Sequence, residues 1–205
     1  MTDWIIVLPV KQASRAKSRL GGGAALARAI ALDTIEAVAS CAAVAKVVVV
    51  TDDAELEASV PSGVVVTADR AGAGPDAAIV QAMAGLPESS PRAALLADLP
   101  ALRPQDLAEA LAAAASVERA VVADAEGTGS TLVTASAGVF WASAFGADSF
   151  ARHLALGCTA LDVPADSSLR RDVDTPAHLG AAEGMGLGRW TSAAVRAGSA
   201  GAVQR

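Results

Sequence analysis

Apolar runs without internal alternation, each followed by a stretch of helical spacing, recur along this 205-residue chain. No other feature restricts the fold as much. The first run is Trp4 to Val10, and Lys46 to Thr51 and Ala93 to Ala97 are of the same kind. Such runs mark strands buried on both faces, and parallel sheets covered by helices are where they occur. Between them, Ala24 to Ser40 carries Leu26, Ile30, Thr34 and Val38 at helical spacing. Pro75 opens a helix to about Leu86, and Pro104 opens one to about Ala115, each proline at a first-turn position. Asp52-Asp53 can cap a short helix at Ala54 to Ala58. Val64 to Thr67, Arg119 to Ala123, Ser130 to Thr134 and Cys158 to Val163 complete the strands. Ser149 to Leu156 and a final helix that Thr175 caps, running to about Glu183, complete the helices. The alternation predicts an α/β fold, a mostly parallel sheet with helices on both faces. One domain is expected over residues 1–184. The Gly-, Ala- and Ser-rich segment 185–205 is expected as a mobile tail that Trp190 anchors in part.

The first strand runs into Lys11-Gln12-Ala13-Ser14-Arg15-Ala16-Lys17-Ser18-Arg19. The chain has only three lysines, Lys11, Lys17 and Lys46, and carries a net charge of -6. Two of the three therefore fall in one loop of an acidic protein. A cationic cluster at the carboxyl end of a buried strand is where open α/β sheets bind anions. The Gly21-Gly22-Gly23 run then leads into a helix whose amino end favours negative charge. The alternative is a solvated basic loop; the scarcity of lysine elsewhere favours a phosphate site.

Acidic residues end later elements. Asp98 closes the fourth strand ahead of Pro100. It is either a loop acid or a ligand for a divalent cation held against a phosphate. Asp172 and Asp174 lie two apart, so an extended segment turns both to one side. They either share a cation or cap the helix after Thr175; Asp174 suits the cap better, which leaves Asp172 as the ligand. Gly127-Thr128-Gly129-Ser130 and Phe145-Gly146-Ala147-Asp148-Ser149 are small-residue turns that offer N–H groups and hydroxyls to an anion. Gly72-Ala73-Gly74-Pro75-Asp76-Ala77 fits a dinucleotide fingerprint only superficially. It follows the third strand, and Pro75 removes a needed donor. His153 sits beside Arg152, where it could meet an anion, and His178 reads as structural. Neither has zinc-ligand spacing.

Hydrophobic residues make up 53% of the chain, but no run approaches the length of a membrane span. The start enters a strand directly, so no secretory leader is expected, and Cys41 and Cys158 read as buried thiols of a reducing cytoplasm. Acidity, 3% aromatics and no tyrosine argue against nucleic acid as a partner.

Five stretches, in order, resemble one family. They are Leu8-Pro9-Val10-Lys11 with Ala16-Lys17-Ser18-Arg19-Leu20, Ala97-Asp98-Leu99-Pro100-Ala101-Leu102, Gly127-Thr128-Gly129-Ser130, Phe145-Gly146-Ala147-Asp148-Ser149 with Ala151-Arg152-His153, and Arg171-Asp172-Val173-Asp174-Thr175-Pro176. The chain resembles the 2-phospho-L-lactate and phosphoenolpyruvate guanylyltransferases of coenzyme F420 biosynthesis. The resemblance implies a single-domain GT-A-like nucleotide-diphosphosugar-transferase fold with a mostly parallel mixed sheet. It implies Pro9, Val10, Lys11, Lys17, Arg19, Asp76 and Asp98 at the nucleotide, with Lys11, Lys17 and Arg19 as the catalytic cations on the triphosphate. Asp98 and Asp172 would hold Mg²⁺, and Ser130, Gly146 and Ser149 the acceptor acid. The implied partners are GTP and phosphoenolpyruvate or a related phosphorylated acid, with a homodimer left open. The chain departs from the family pattern at Ala97, Ser130 and Pro75-Asp76. A nucleotidyltransferase for a molybdenum cofactor or sugar phosphate is the rival in the same class. A silent nucleotide-binding protein is the rival in another.

Overall fold

A computed structural model describes residues 3–11 and 23–203. Seven strands form one sheet: β1 (Trp4–Pro9), β2 (Val44–Val50), β3 (Val65–Thr67), β4 (Arg92–Leu95), β5 (Arg119–Ala123), β6 (Ser130–Ala135) and β7 (Thr159–Ala160). Their order is β3-β2-β1-β4-β6-β5-β7. Six strands run the same way; β6 alone is antiparallel to its neighbours β4 and β5. The helices are α1 (Gly23–Ala39), α2 (Ala54–Glu57), α3 (Pro75–Met83), α4 (Pro104–Ala114), α5 (Ser149–Ala155), α6 (Pro176–Met185) and α7 (Arg189–Val203). This is the expected α/β architecture, a mostly parallel mixed sheet.

The two faces of β1 show why the run had to be continuous. Trp4, Ile6 and Leu8 point to one layer, where Leu32 and Ile35 of α1 and Leu107 and Leu111 of α4 pack. Ile5 and Val7 point to the other, against Ala78, Ile79 and Met83 of α3. Both layers bury apolar side chains, so no polar residue interrupts the strand.

The lone antiparallel strand positions the site. β5 turns at Asp124 to Gly129, where the Asp124 N–H donates to the Gly129 carbonyl at 3.0 Å. β6 therefore begins beside the carboxyl end of β4, with Leu132 opposite Leu95. The carboxyl ends of β1, β2, β4 and β5 and the amino end of β6 thus share one edge of the sheet.

Two expectations change. The last strand is two residues long and not the run from Cys158 to Val163. Segment 185–205 was expected to be a mobile tail, yet Arg189 to Val203 is helical. Buried Asp33 of α1 receives the N–H groups of Trp190 and Thr191 at 3.0 and 2.7 Å. Glu36 pairs with Arg189 and accepts from the Trp190 indole at 3.0 Å. A helix with few large apolar residues is thus capped and docked by partners over 150 positions away.

Candidate active site

Two adjoining cavities open at the shared edge of the sheet. The first, about 260 Å³, lies over β1 and α1 and is lined by Pro9, Val10, Lys11, Arg28, Asp53 and Asp98, among others. The second, about 320 Å³, is lined by the turns around Ser130 and Ser149 and by Asp98, Asp124, Asp172 and Asp174. Asp98, Asp174, Pro75 and Leu96 line both cavities. Pro9, Val10 and Lys11 therefore line the same cavity as Asp98. Lys17 and Arg19 lie outside the described residues.

Asp98 follows β4, whose last ladder step is the Leu96 N–H to Thr131 carbonyl bond at 3.0 Å. Just beyond it, the Leu99 N–H donates to Thr34 Oγ1 of α1 at 3.0 Å. The Val173 N–H donates to the Asp98 carbonyl at 2.9 Å, and Val173 itself is fully buried. Val173 pointing inward leaves Asp172 and Asp174 on the opposite side, both on the second cavity. Thr175 caps α6, its Oγ1 accepting the His178 N–H at 3.2 Å. Asp174 is thereby part of the acidic set.

That set has a charge problem. Burial first, then the neighbouring carboxylates of Asp98, Asp174, Asp124 and Glu126, push the Asp172 carboxyl up to about 7. Its buried Oδ1 has no hydrogen-bond partner among the described residues. One oxygen each of Asp124, Glu126 and Asp172 fall within 4.8 Å of one another. A divalent cation fits such a donor set, because it replaces both the missing partner and the missing counter-charge. Asp124 and Glu126 were not singled out from sequence. Asp124 ends β5 as Asp98 ends β4, which was the available signal. Asp124 also shapes the following turn: its carboxylate accepts the Thr128 and Gly129 N–H groups at 3.0 and 2.7 Å. A Cβ on Gly129 would lie 2.2 Å from that carboxylate, so the turn requires glycine.

Ser130 and Ser149 are both buried and both line the second cavity with Gly146. Their turns are tied together by the Phe150 N–H, which donates to the Thr128 carbonyl at 3.1 Å. Gly146 adopts φ 131°, a region closed to ordinary side chains. Asp76, expected at the nucleotide, instead accepts the Phe145 N–H at 2.9 Å and so braces the second turn. His153, expected near an anion, is fully buried. Its Nδ1 lies 2.9 Å from Ser130 Oγ, and its Nε2 accepts the Ala144 N–H at 2.9 Å. Arg28, not foreseen, lines the first cavity, with its Nε 2.9 Å from Asp53 Oδ2 and a second contact to Glu55. In the GxGxxG-like stretch Pro75 starts α3 and lines both cavities.

Residues 14–156 match the MobA-like NTP transferase domain. A phosphoenolpyruvate guanylyltransferase of Streptomyces coelicolor is 48% identical over 202 residues, covering 93% of this chain and 95% of that protein. Among solved structures, a nucleotidyl transferase of Methanothermobacter superposes with a TM-score of 0.64 at 15% identity, covering 90% of this chain and 98% of that one. A nucleotide-diphospho-sugar transferase described as putative, from Desulfovibrio desulfuricans, does so with 0.60 at 17% identity, covering 90% and 97%. These two structures speak to the fold alone.

Proposed function

The chain belongs to the phosphoenolpyruvate guanylyltransferases, within the MobA-like NTP transferases, and is a guanylyltransferase; we propose that it joins GTP to phosphoenolpyruvate with release of pyrophosphate. GTP occupies the first cavity with its triphosphate toward Asp98. The acid occupies the second. The observation that carries this reading is the shared wall. Asp98 and Asp174 line both cavities, so two substrates seated there meet at the carboxylates.

The chemistry is an in-line displacement. An oxygen of the acceptor phosphate attacks the α-phosphorus of GTP, and the bond to the β,γ-pyrophosphate breaks. No general base is required, because a phosphate monoester is largely ionised near pH 7. The obstacle is repulsion. The second cavity is lined by five aspartates, Asp98, Asp124, Asp148, Asp172 and Asp174, and by no lysine or arginine among the described residues. An anionic acid does not enter such a cavity against those charges alone. Mg²⁺ held by Asp98 and Asp172, with Asp124, Asp174 and Glu126 close by, would supply the counter-charge and polarise the phosphoryl oxygens. Lys11, and Lys17 and Arg19 from the sequence motif, neutralise the triphosphate. Ser130 and Ser149 hold the acid. The product, a pyrophosphate-linked enolpyruvyl guanosine, belongs to coenzyme F420 biosynthesis.

The test is pyrophosphate release with Mg²⁺, each of GTP, CTP and ATP, and each of phosphoenolpyruvate, 2-phospho-L-lactate and 3-phosphoglycerate. Turnover greatest with GTP and phosphoenolpyruvate is expected. Preference for another nucleotide or another acid would displace the substrate assignment. The described helices include none long and apolar enough to cross a membrane.

A further inference from the structure

The two turns of the second cavity are linked through one side chain. The Ala144 N–H can only donate, so His153 Nε2, which receives it at 2.9 Å, carries no proton. The ring is therefore neutral with its proton on Nδ1. Nδ1 lies 2.9 Å from Ser130 Oγ, so Nδ1–H donates and the serine oxygen accepts.

We propose that His153 is a positioning residue for the acceptor, committing the Ser130 hydroxyl to act as a hydrogen-bond donor into the second cavity. A serine hydroxyl is otherwise ambivalent; it can present a lone pair or its proton. Here the lone pair facing the protein is engaged by His153, and the hydroxyl's own proton is left for the cavity. Phosphate and carboxylate oxygens only accept. The arrangement thus favours an anionic oxygen at Ser130 in a cavity whose carboxylates otherwise repel one. This rests on the second cavity being the acceptor site.

Three further observations hold the device still. His153 is fully buried, and its ring meets Phe145 edge-on with centroids 4.8 Å apart. Burial, more than the opposing influence of nearby Asp76, holds its pKa at about 4, so the ring stays neutral across the working range. The Asp76 carboxylate accepts the next N–H along, that of Phe145, so segment 144–145 is fixed from two sides.

The test is a double-mutant cycle on the whole enzyme, with KM measured separately for phosphoenolpyruvate and GTP. His153→Phe keeps a buried ring but cannot donate. It is expected to raise the KM for the acid roughly 2- to 10-fold, the range for one neutral hydrogen bond, and to leave the KM for GTP nearly unchanged. In a Ser130→Ala background the same change is expected to cost much less, because the group it acts through is gone. His153→Asn, which restores a donor, is expected to recover part of the loss. Equal costs in both backgrounds, or equal weakening of both substrates, would overturn the role of His153 while Ser130→Ala still weakened the acid. If Ser130→Ala and Ser149→Ala both leave the acid's KM unchanged, the acceptor site is elsewhere and both readings fall. Nitrogen NMR of wild-type histidines gives a readout independent of the variants. A ring protonated at Nδ1 and bare at Nε2 from pH 5.5 to 8 is expected; the opposite tautomer, or titration near pH 6.5, would overturn the proposal.

Discussion

Asp98 and Asp172 hold their positions through backbone contacts that a change of side-chain chemistry does not touch. The Asp98 carbonyl receives Val173, and the Leu99 N–H goes to Thr34. Asp98→Asn and Asp172→Asn are therefore expected to keep the fold and to lower turnover by at least ~100-fold, above the range for groups that only support ligands. Near-normal pyrophosphate release by either variant at low Mg²⁺ would remove that residue from the metal site. Ser149→Ala is expected to raise the KM for the acid about 10- to 150-fold, with GTP little affected; equal weakening would mean the turn supports the whole site. What could be read at this scale had a local signature. Asp172 and Asp174 share a side because they are two apart, and Asp98 ends an apolar run. Asp124 carried the same signature as Asp98, at the end of β5, and went unread; Glu126 and Arg28 lacked one. Arg28 reads as one more polar position on α1, and its partner Asp53 is 25 residues away. His153 was misread because both its partners belong to other elements.

At the scale of elements, strands and helices were legible wherever a periodicity carried them, and illegible where a distant partner did. α1 and α4 follow their apolar spacing. α7 lays Ala194 and Val195 on the cluster that includes Leu26 and Ile30, and Asp33 and Glu36 of α1 receive its first turn. Its start also leans on the site, since the Gly188 N–H donates to the Pro100 carbonyl, two residues beyond Asp98, at 2.8 Å. Asp33→Ala is expected to leave the Trp190 and Thr191 N–H groups without their acceptor. The cost is about 1–2 kcal/mol, a Tm drop of roughly 2–8 °C for a chain of this size, with faster proteolysis after Leu187. An unchanged Tm would mean the docking of α7 contributes nothing. The antiparallel insertion of β6 was not foreseen as such. Strand 130–134 was, but only the hairpin at Asp124 to Gly129 brings Ser130 to the edge where Asp98 lies.

For the whole molecule, the carboxylates crowded at one edge make stability depend on pH and on metal together. Asp172 holds its proton to about pH 7 in the metal-free fold, against an ordinary value of 3.8. Between those values the folded state binds a proton that the unfolded chain releases, so this group makes stability fall as pH rises through the window. His153 acts with the opposite sign. Its folded value is about 4 against 6.5 unfolded, so the unfolded chain binds more protons there and stability rises from pH 4 to 6.5. The two oppose each other below pH 6.5. From 6.5 to 7.5 the His153 contribution dies away first and the Asp172 contribution outweighs it. In that interval the Tm of the metal-free protein is expected to fall, and saturating Mg²⁺ is expected to raise it more at pH 7.5 than at 5.5, since a cation competes with the proton for the same oxygens. Asp172→Asn should flatten the metal-free slope above pH 6.5 and remove most of the response to Mg²⁺. Thermal melts of wild type and variant at four pH values, with and without Mg²⁺, decide it. A variant that keeps both the slope and the Mg²⁺ response would show that the charge strain, and the ion that relieves it, lie away from Asp172.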